Sequence, residues 1–151
     1  MRRAHALGIT ALAAASLTLT ACEKPAPGVT VFSGPRSVTT EALCWAFTSD
    51  QLSPGECAAE ILNGETTDGV AQLPVSAGNT VGISVDPVVA ESGWNIVIGG
   101  QQLSQTPLTT TYFRFTLPLQ VGTQTLPLQI VSGQNTKIRG VWIVALQPGL
   151  S

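Results

Sequence analysis

Histidine is nearly missing from this sequence. Among 151 residues there is one, His5. Beyond it no imidazole is on hand for a Ser-His-Asp triad, a Cys-His pair or a histidine metal ligand. Methionine is just as scarce, and Met1 as the sole example excludes a Met/His copper carrier. Charge is thin at 11% of residues, and the seven Lys and Arg form no run longer than a pair. Nucleic acid and polybasic lipid binding are therefore unsupported. A Gly-rich phosphate loop is lacking too: Gly99-Gly100 follows a predicted strand but opens no helix. No internal repeat or low-complexity block is visible.

What is present begins with a greasy leader. Arg2 and Arg3 precede an uncharged run over residues 6–19, shorter than the roughly 20 apolar residues that span a bilayer. A basic start, a short apolar middle and small residues at the exit make a secretory signal. Leu19-Thr20-Ala21-Cys22 further matches the lipobox of bacterial lipoproteins, in which diacylglycerol joins the cysteine thiol and that cysteine becomes the first residue. The alternative is an ordinary signal cleaved nearby, with Cys22 free or absent from the product. Ala4-His5-Ala6-Leu7 fits twin-arginine export poorly, which favours the general secretory route. Two or more acyl chains anchor stably, at about 0.8 kcal/mol per buried CH₂. The reading divides the chain into a signal peptide over 1–21, an acylated cysteine and Pro-rich tether over 22–28, and a domain over 29–151. An extended tether of that length holds the domain about 20 Å from the membrane. The expected location is the extracytoplasmic face of the cell membrane, lipid-anchored through Cys22.

Without the leader, five Lys and Arg face nine Asp and Glu, a formal charge of −4. The surface is polar through Thr, Ser, Gln and Gly, and regular Val, Ile and Leu argue against disorder. Three cysteines are an odd number. With Cys22 lipidated, Cys44 and Cys57 remain, and outside the cytoplasm two thiols pair. Closing that loop is worth on the order of 3 kcal/mol in the chain-entropy account. A metal site on the same thiols lacks partners.

Along the domain the pattern is strand after strand. Residues 29–33 and 36–40 flank a turn at Gly34-Pro35, and residues 70–75 and 80–85 flank another at Ser76-Ala77-Gly78-Asn79. Val81, Ile83 and Val85 alternate with Thr80, Gly82 and Ser84, which predicts a half-buried strand. Trp94, Ile96 and Ile98 repeat the pattern, as do Phe113, Phe115 and Leu117, and then Leu126, Leu128 and Ile130. Pro127 lacks an amide donor, which predicts an edge for that strand. Residues 138–146, apolar on both faces in their second half, predict a central strand. Asp86 as cap, Pro87, residues 88–92 and Gly93 as stop predict one short helix. Residues 41–63 read equally as helix or strand. The expected fold is an all-β, immunoglobulin-like two-sheet β-sandwich, although these cysteines do not span the sheets as a true immunoglobulin bridge does.

Few residues offer chemistry. Glu56 and Glu60 would share a face if their segment were helical, and Glu65 and Asp68 are too few for a calcium loop. Solvated turn charges are the plainer reading. The tryptophans could stack on sugars, but Trp45 is in phase with Leu43 and Phe47, Trp94 with Ile96 and Ile98, and Trp142 with Val144 and Leu146, which favours core packing. Trp45, next to Cys44, is the weakest core case. With Tyr112 it is a candidate ligand contact.

The lipobox, VTVFSG, Cys44 and Cys57, AQLPVSAGNTVGISV, PVVAESGW and RGVWIVAL occur in that order. Together they resemble a family of uncharacterised lipoproteins from actinobacteria, a domain of unknown function. The resemblance implies a secreted β-sandwich lipoprotein and transfers no catalytic residue. The expectation is a non-catalytic, cofactor-free binding or interaction module of the cell envelope, with an envelope protein as partner. A module for sugars or cell-wall fragments is the alternative, and an enzyme working through carboxylates alone is a distant third.

Overall fold

The computed structural model describes residues 24–118 and 124–149. The expected signal peptide and Cys22 lie outside the described residues. In chain order the elements are β1 (Gly28–Ser33), β2 (Arg36–Glu41), β3 (Cys44–Trp45), α1 (Ala59–Leu62), β4 (Ala71–Val75) and β5 (Thr80–Val85). There follow α2 (Pro87–Ser92), β6 (Trp94–Ile98), β7 (Gln101–Gln102), β8 (Tyr112–Thr116), β9 (Leu126–Ser132) and β10 (Gly140–Pro148).

The strands form an all-β domain of two packed sheets. One has the order β2-β1-β5-β8; the other has the order β3-β10-β9-β6-β7, with β4 also on β10. Every pairing is antiparallel except β4 with β10. Alternation decides what each strand buries. Val29 and Val31 of β1 point inward with Val81, Ile83 and Val85 of β5, and they meet Trp94, Ile96, Leu128, Ile130, Trp142 and Leu146 from the facing sheet. Burying such side chains contributes about 1.5–3 kcal/mol each.

The predicted hairpin at Gly34-Pro35 joins β1 to β2 with Val31 opposite Val38. The turn over residues 76–79 has a different task. It links β4, which pairs with β10, to β5, which pairs with β1, and so carries the chain from one sheet to the other. The short helix forms as α2, with Asp86 at its N-cap and Gly93 at its C-cap. Asp86 does not cap it, however: its carboxylate accepts the Gly28 N–H at 2.7 Å.

The central position expected for the last strand holds. β10 has β9 along one side, with β3 and then β4 along the other. Trp142, Val144 and Leu146 enter the core, yet Val141, Ile143 and Ala145 on the opposite face are fully buried as well. Their cover is the excursion between β3 and β4. Cys44, opposite Val141, is disulfide-bonded to Cys57, and α1 follows directly against β10. Beside Ile143, the Gln129 side chain donates to the carbonyls of Ile61 at 2.7 Å and Leu62 at 3.0 Å. Those carbonyls belong to the end of α1, where intrahelical donors run out. The ambiguous segment thus resolves into a two-residue strand, a disulfide-closed loop and one helical turn.

Three expectations need correction. Pro127 is not on an edge strand, because β9 lies between β10 and β6. Its carbonyl accepts the Gly99 N–H just past the end of β6, so the missing donor falls where the neighbouring strand has already turned away. Trp45 is not in phase with an apolar stripe, for Leu43 and Phe47 are exposed while Cys44, Trp45 and Ala46 are all buried. A two-residue strand has no period to follow. Of the tether expected over residues 22–28, the last three residues are docked on the domain. Ala26 packs on the core, Pro27 is buried with its carbonyl accepting the Trp142 indole N–H at 2.9 Å, and Gly28 already belongs to β1.

Candidate functional site

With one sheet's outer face covered by the excursion, the outer face of the four-stranded sheet is the open one among the described residues. Alternation leaves Thr30 and Phe32 of β1, Gly82 and Ser84 of β5, and Tyr112, Arg114 and Thr116 of β8 on it. The register sets Phe32 beside Gly82 beside Arg114, and Thr30 beside Ser84 beside Tyr112. Phe32 and Tyr112, on strands that do not touch, nevertheless stack at 6.0 Å with ring planes 12° apart. Gly82 makes this contact available: the far end of the Phe32 ring occupies the space that a Cβ would fill. Tyr112 remains 46% exposed, with the exposed Arg114 next to it. Towards β2, the hydroxyls of Thr30 and Thr39 lie 2.8 Å apart. This face offers an aromatic surface, a guanidinium and a row of hydroxyls. It can stack against a flat ligand and hydrogen-bond to it, but holds no base beside a nucleophile.

A second concavity lies at the end of the sandwich, a cleft of about 400 Å³ lined by Asp50, Glu91, Ser92, Lys137 and Arg139 among others. Arg139 donates to the Ser92 hydroxyl at 2.7 Å, and its guanidinium sits 4.6 Å from the centroid of Trp45. Arg139 Nε is buried without a partner. Lys137 pairs with Asp50 at 2.7 Å. That ammonium, by hydrogen bond and by charge, holds the Asp50 carboxyl below its ordinary range. Two cations, Lys137 and Arg139, and two carboxylates, Asp50 and Glu91, line this cleft, which gives it no net preference for one sign.

The expected site residues separate sharply. Cys44 and Cys57 are joined, with Cα atoms 5.7 Å apart. Trp45 is only 8% exposed, lying between Arg139 and Trp142, whose ring is 5.7 Å away. Its proposed role as an exposed ligand contact is therefore corrected: it is a core residue, as Trp94 and Trp142 are. Tyr112 is where a contact residue has to be. Glu56 and Glu60 share no helix face, since α1 starts at Ala59 and the Glu56 carboxylate accepts the Ser53 N–H at 2.7 Å. Glu65 and Asp68 line a shallow hollow with Glu60, and no group of three metal-ligating side chains converges among the described residues.

Sequence reasoning missed Phe32 and Arg139. The signal for Phe32 was a glycine inside a regular strand, Gly82, which marks close approach of another group. Nothing in the sequence pointed to Arg139. No protein-family model, curated protein or solved structure matches the chain. Its class rests on the fold alone: an all-β domain of two packed sheets with one disulfide among the described residues. No helix among the described residues is long and apolar enough to cross a membrane.

Proposed function

We propose that this chain is a membrane-anchored, secreted lipoprotein related to the uncharacterised actinobacterial family, and that its domain is a non-catalytic binding module of the cell envelope. Lipidation at Cys22 supplies the anchor, and the domain is an immunoglobulin-like version of the two-sheet sandwich. The observation that carries the binding role is the asymmetry of the two outer faces. A disulfide-pinned excursion closes one, whereas the other keeps Phe32, Tyr112 and Arg114 at its surface. Of these, Tyr112 and Arg114 are exposed and Phe32 is half-buried against the tyrosine, and exposed Tyr with Arg are side chains enriched where recognition surfaces bind.

The anchor is tested by Cys22→Ser. The variant is expected in the culture medium or retained with its signal uncleaved; unchanged membrane retention of a processed variant refutes it. The surface is tested by in-cell crosslinking and co-purification. Tyr112→Ala is expected to lose a partner that the native chain captures reproducibly, and capture of the same partner at the same yield removes this face from the reading.

The stacked pair specifically favours a second reading, a saccharide or cell-wall fragment lying on the rings. All three tryptophans are buried, which makes their fluorescence a poor reporter. Tyr112 is the sole tyrosine, and its ring resonances should shift on titration with muropeptides or cell-wall glycans. A flat response to all of them counts against the second reading and leaves a protein partner.

A further inference from the structure

The docked residues before β1 fix more than the start of the domain. Pro27 is held by the Trp142 indole, Gly28 by Asp86 and by its pairing with Glu41, and Ala26 by packing on the core. From Ala26 back to Cys22 is four residues, and a fully extended chain of that length reaches at most about 14 Å. The chain leaves from one particular end of the sandwich. There Asp86 opens α2, Arg139 reaches Ser92 at the other end of that helix, Leu43 donates to the Val141 carbonyl, and Ala46 donates to that of Arg139. The opposite end, with the turns at Gly34-Pro35 and Gly78-Asn79, stands a strand length away. The nine residues of β10 span about 30 Å at 3.3 Å each.

Resting on the reading of Cys22 as the lipid anchor, we propose that this end of the domain is seated on the bilayer, with Leu43 and Phe47 in the interfacial layer. Two observations join the short reach. Leu43 is 38% and Phe47 49% exposed, two large apolar side chains beside the entry of the chain. Phe47 follows Ala46, which is bonded to Arg139, and Leu43 lies two residues past Glu41, the partner of Gly28. Both therefore belong to the end from which the anchor emerges. The same end is not basic, because Asp50, Glu91, Asp86 and Glu41 stand there against Lys137 and Arg139. Attraction to anionic headgroups contributes little; acyl chains and apolar side chains hold the seat. The turns at the far end, and the face bearing Phe32 and Tyr112, then stay open to the envelope.

The test uses the full lipidated protein in phosphatidylethanolamine–phosphatidylglycerol vesicles carrying a spin-labelled lipid as quencher. An environment-sensitive dye is placed on Phe47→Cys in one preparation and on Asn79→Cys, at the far turn, in another. Flotation with the vesicles reports the anchor independently. The seat predicts that lipid quenches the dye at residue 47 several-fold more than the dye at residue 79, and that this survives high salt. Equal quenching at the two positions in protein that still floats overturns the seat and leaves the anchor standing. Loss of the contrast at high salt overturns its apolar character. Protein that does not float removes the anchor and the seat together. A Leu43→Ser variant provides the graded control, with weaker quenching at residue 47 and unchanged flotation.

Discussion

Gly140 stands opposite Trp45 at the start of β10, where a Cβ would collide with the Trp45 ring and come within 3.0 Å of Trp142 Cη2. Neither indole has room to retreat, for Trp142 is fully buried and held by Pro27, and Trp45 lies beneath Arg139. Gly140→Ala is expected to cost about 1–3 kcal/mol, the usual range for overpacking. It is read as a lower urea midpoint at unchanged slope. At Gly82 a Cβ would meet only the far end of the Phe32 ring, on an open face where that ring can swing aside. Gly82→Ala should therefore cost less, about 0.5–1.5 kcal/mol, by undoing the aromatic pair. Its signature is a change in the near-ultraviolet dichroism of Tyr112. Asp50 sets a pH expectation of definite sign. Its carboxyl is held low by Lys137, so the stabilisation from this exposed pair is present above the ordinary Asp range and fades as pH falls through the lowered value. A carboxyl-carbon NMR titration should place Asp50 below the ordinary aspartate range, and Lys137→Ala should move it back towards that range.

The excursion between β3 and β4 is held by three kinds of contact: the Cys44–Cys57 bond, the Gln129 amide on the end of α1, and apolar burial over Val141 and Ile143. Cys57→Ser, made in the Cys44→Ser background to avoid a stray thiol, should lower stability by about 3 kcal/mol. It should also increase binding of a hydrophobic dye as the outer face of β10 is uncovered; an unchanged dye signal would mean the excursion stays down without its bridge. The sequence shows such features unevenly. Val81, Ile83 and Val85 were readable because a strand with one buried face must alternate, and residues 138–146 because a strand buried on both faces cannot. The cover over β10 was hidden, since four helical residues and two strand residues are too short to show any period. Pro127 misled because the rule for proline counts donors and ignores where the neighbouring strand ends. The Phe32–Tyr112 pair and the Arg139–Ser92 contact depend on which strands become neighbours. The order β1-β5-β8 and the closeness of α2 to Arg139, just before β10, come from long-range packing, which local pattern does not encode.

Across the whole molecule, stability is concentrated around β10. It pairs with β3, β4 and β9, contributes buried residues to both faces of its sheet, and receives the segment before β1 through Trp142. Amides in β9 and β10 are expected to exchange slowest, at the free energy of global unfolding, while β7 and α1 open first. Slowest exchange confined to the β2-β1-β5-β8 sheet would instead mean that the two sheets fail separately. These pairings join distant parts of the chain, and β3 and β4 both depend on the last described strand in chain order. The keystone is thus the last of the described strands to be made. A ribosome or a translocation channel that still grips β10 leaves the second sheet without its axle, and β3, β4 and β9 have to wait, unpaired with it, until it is released.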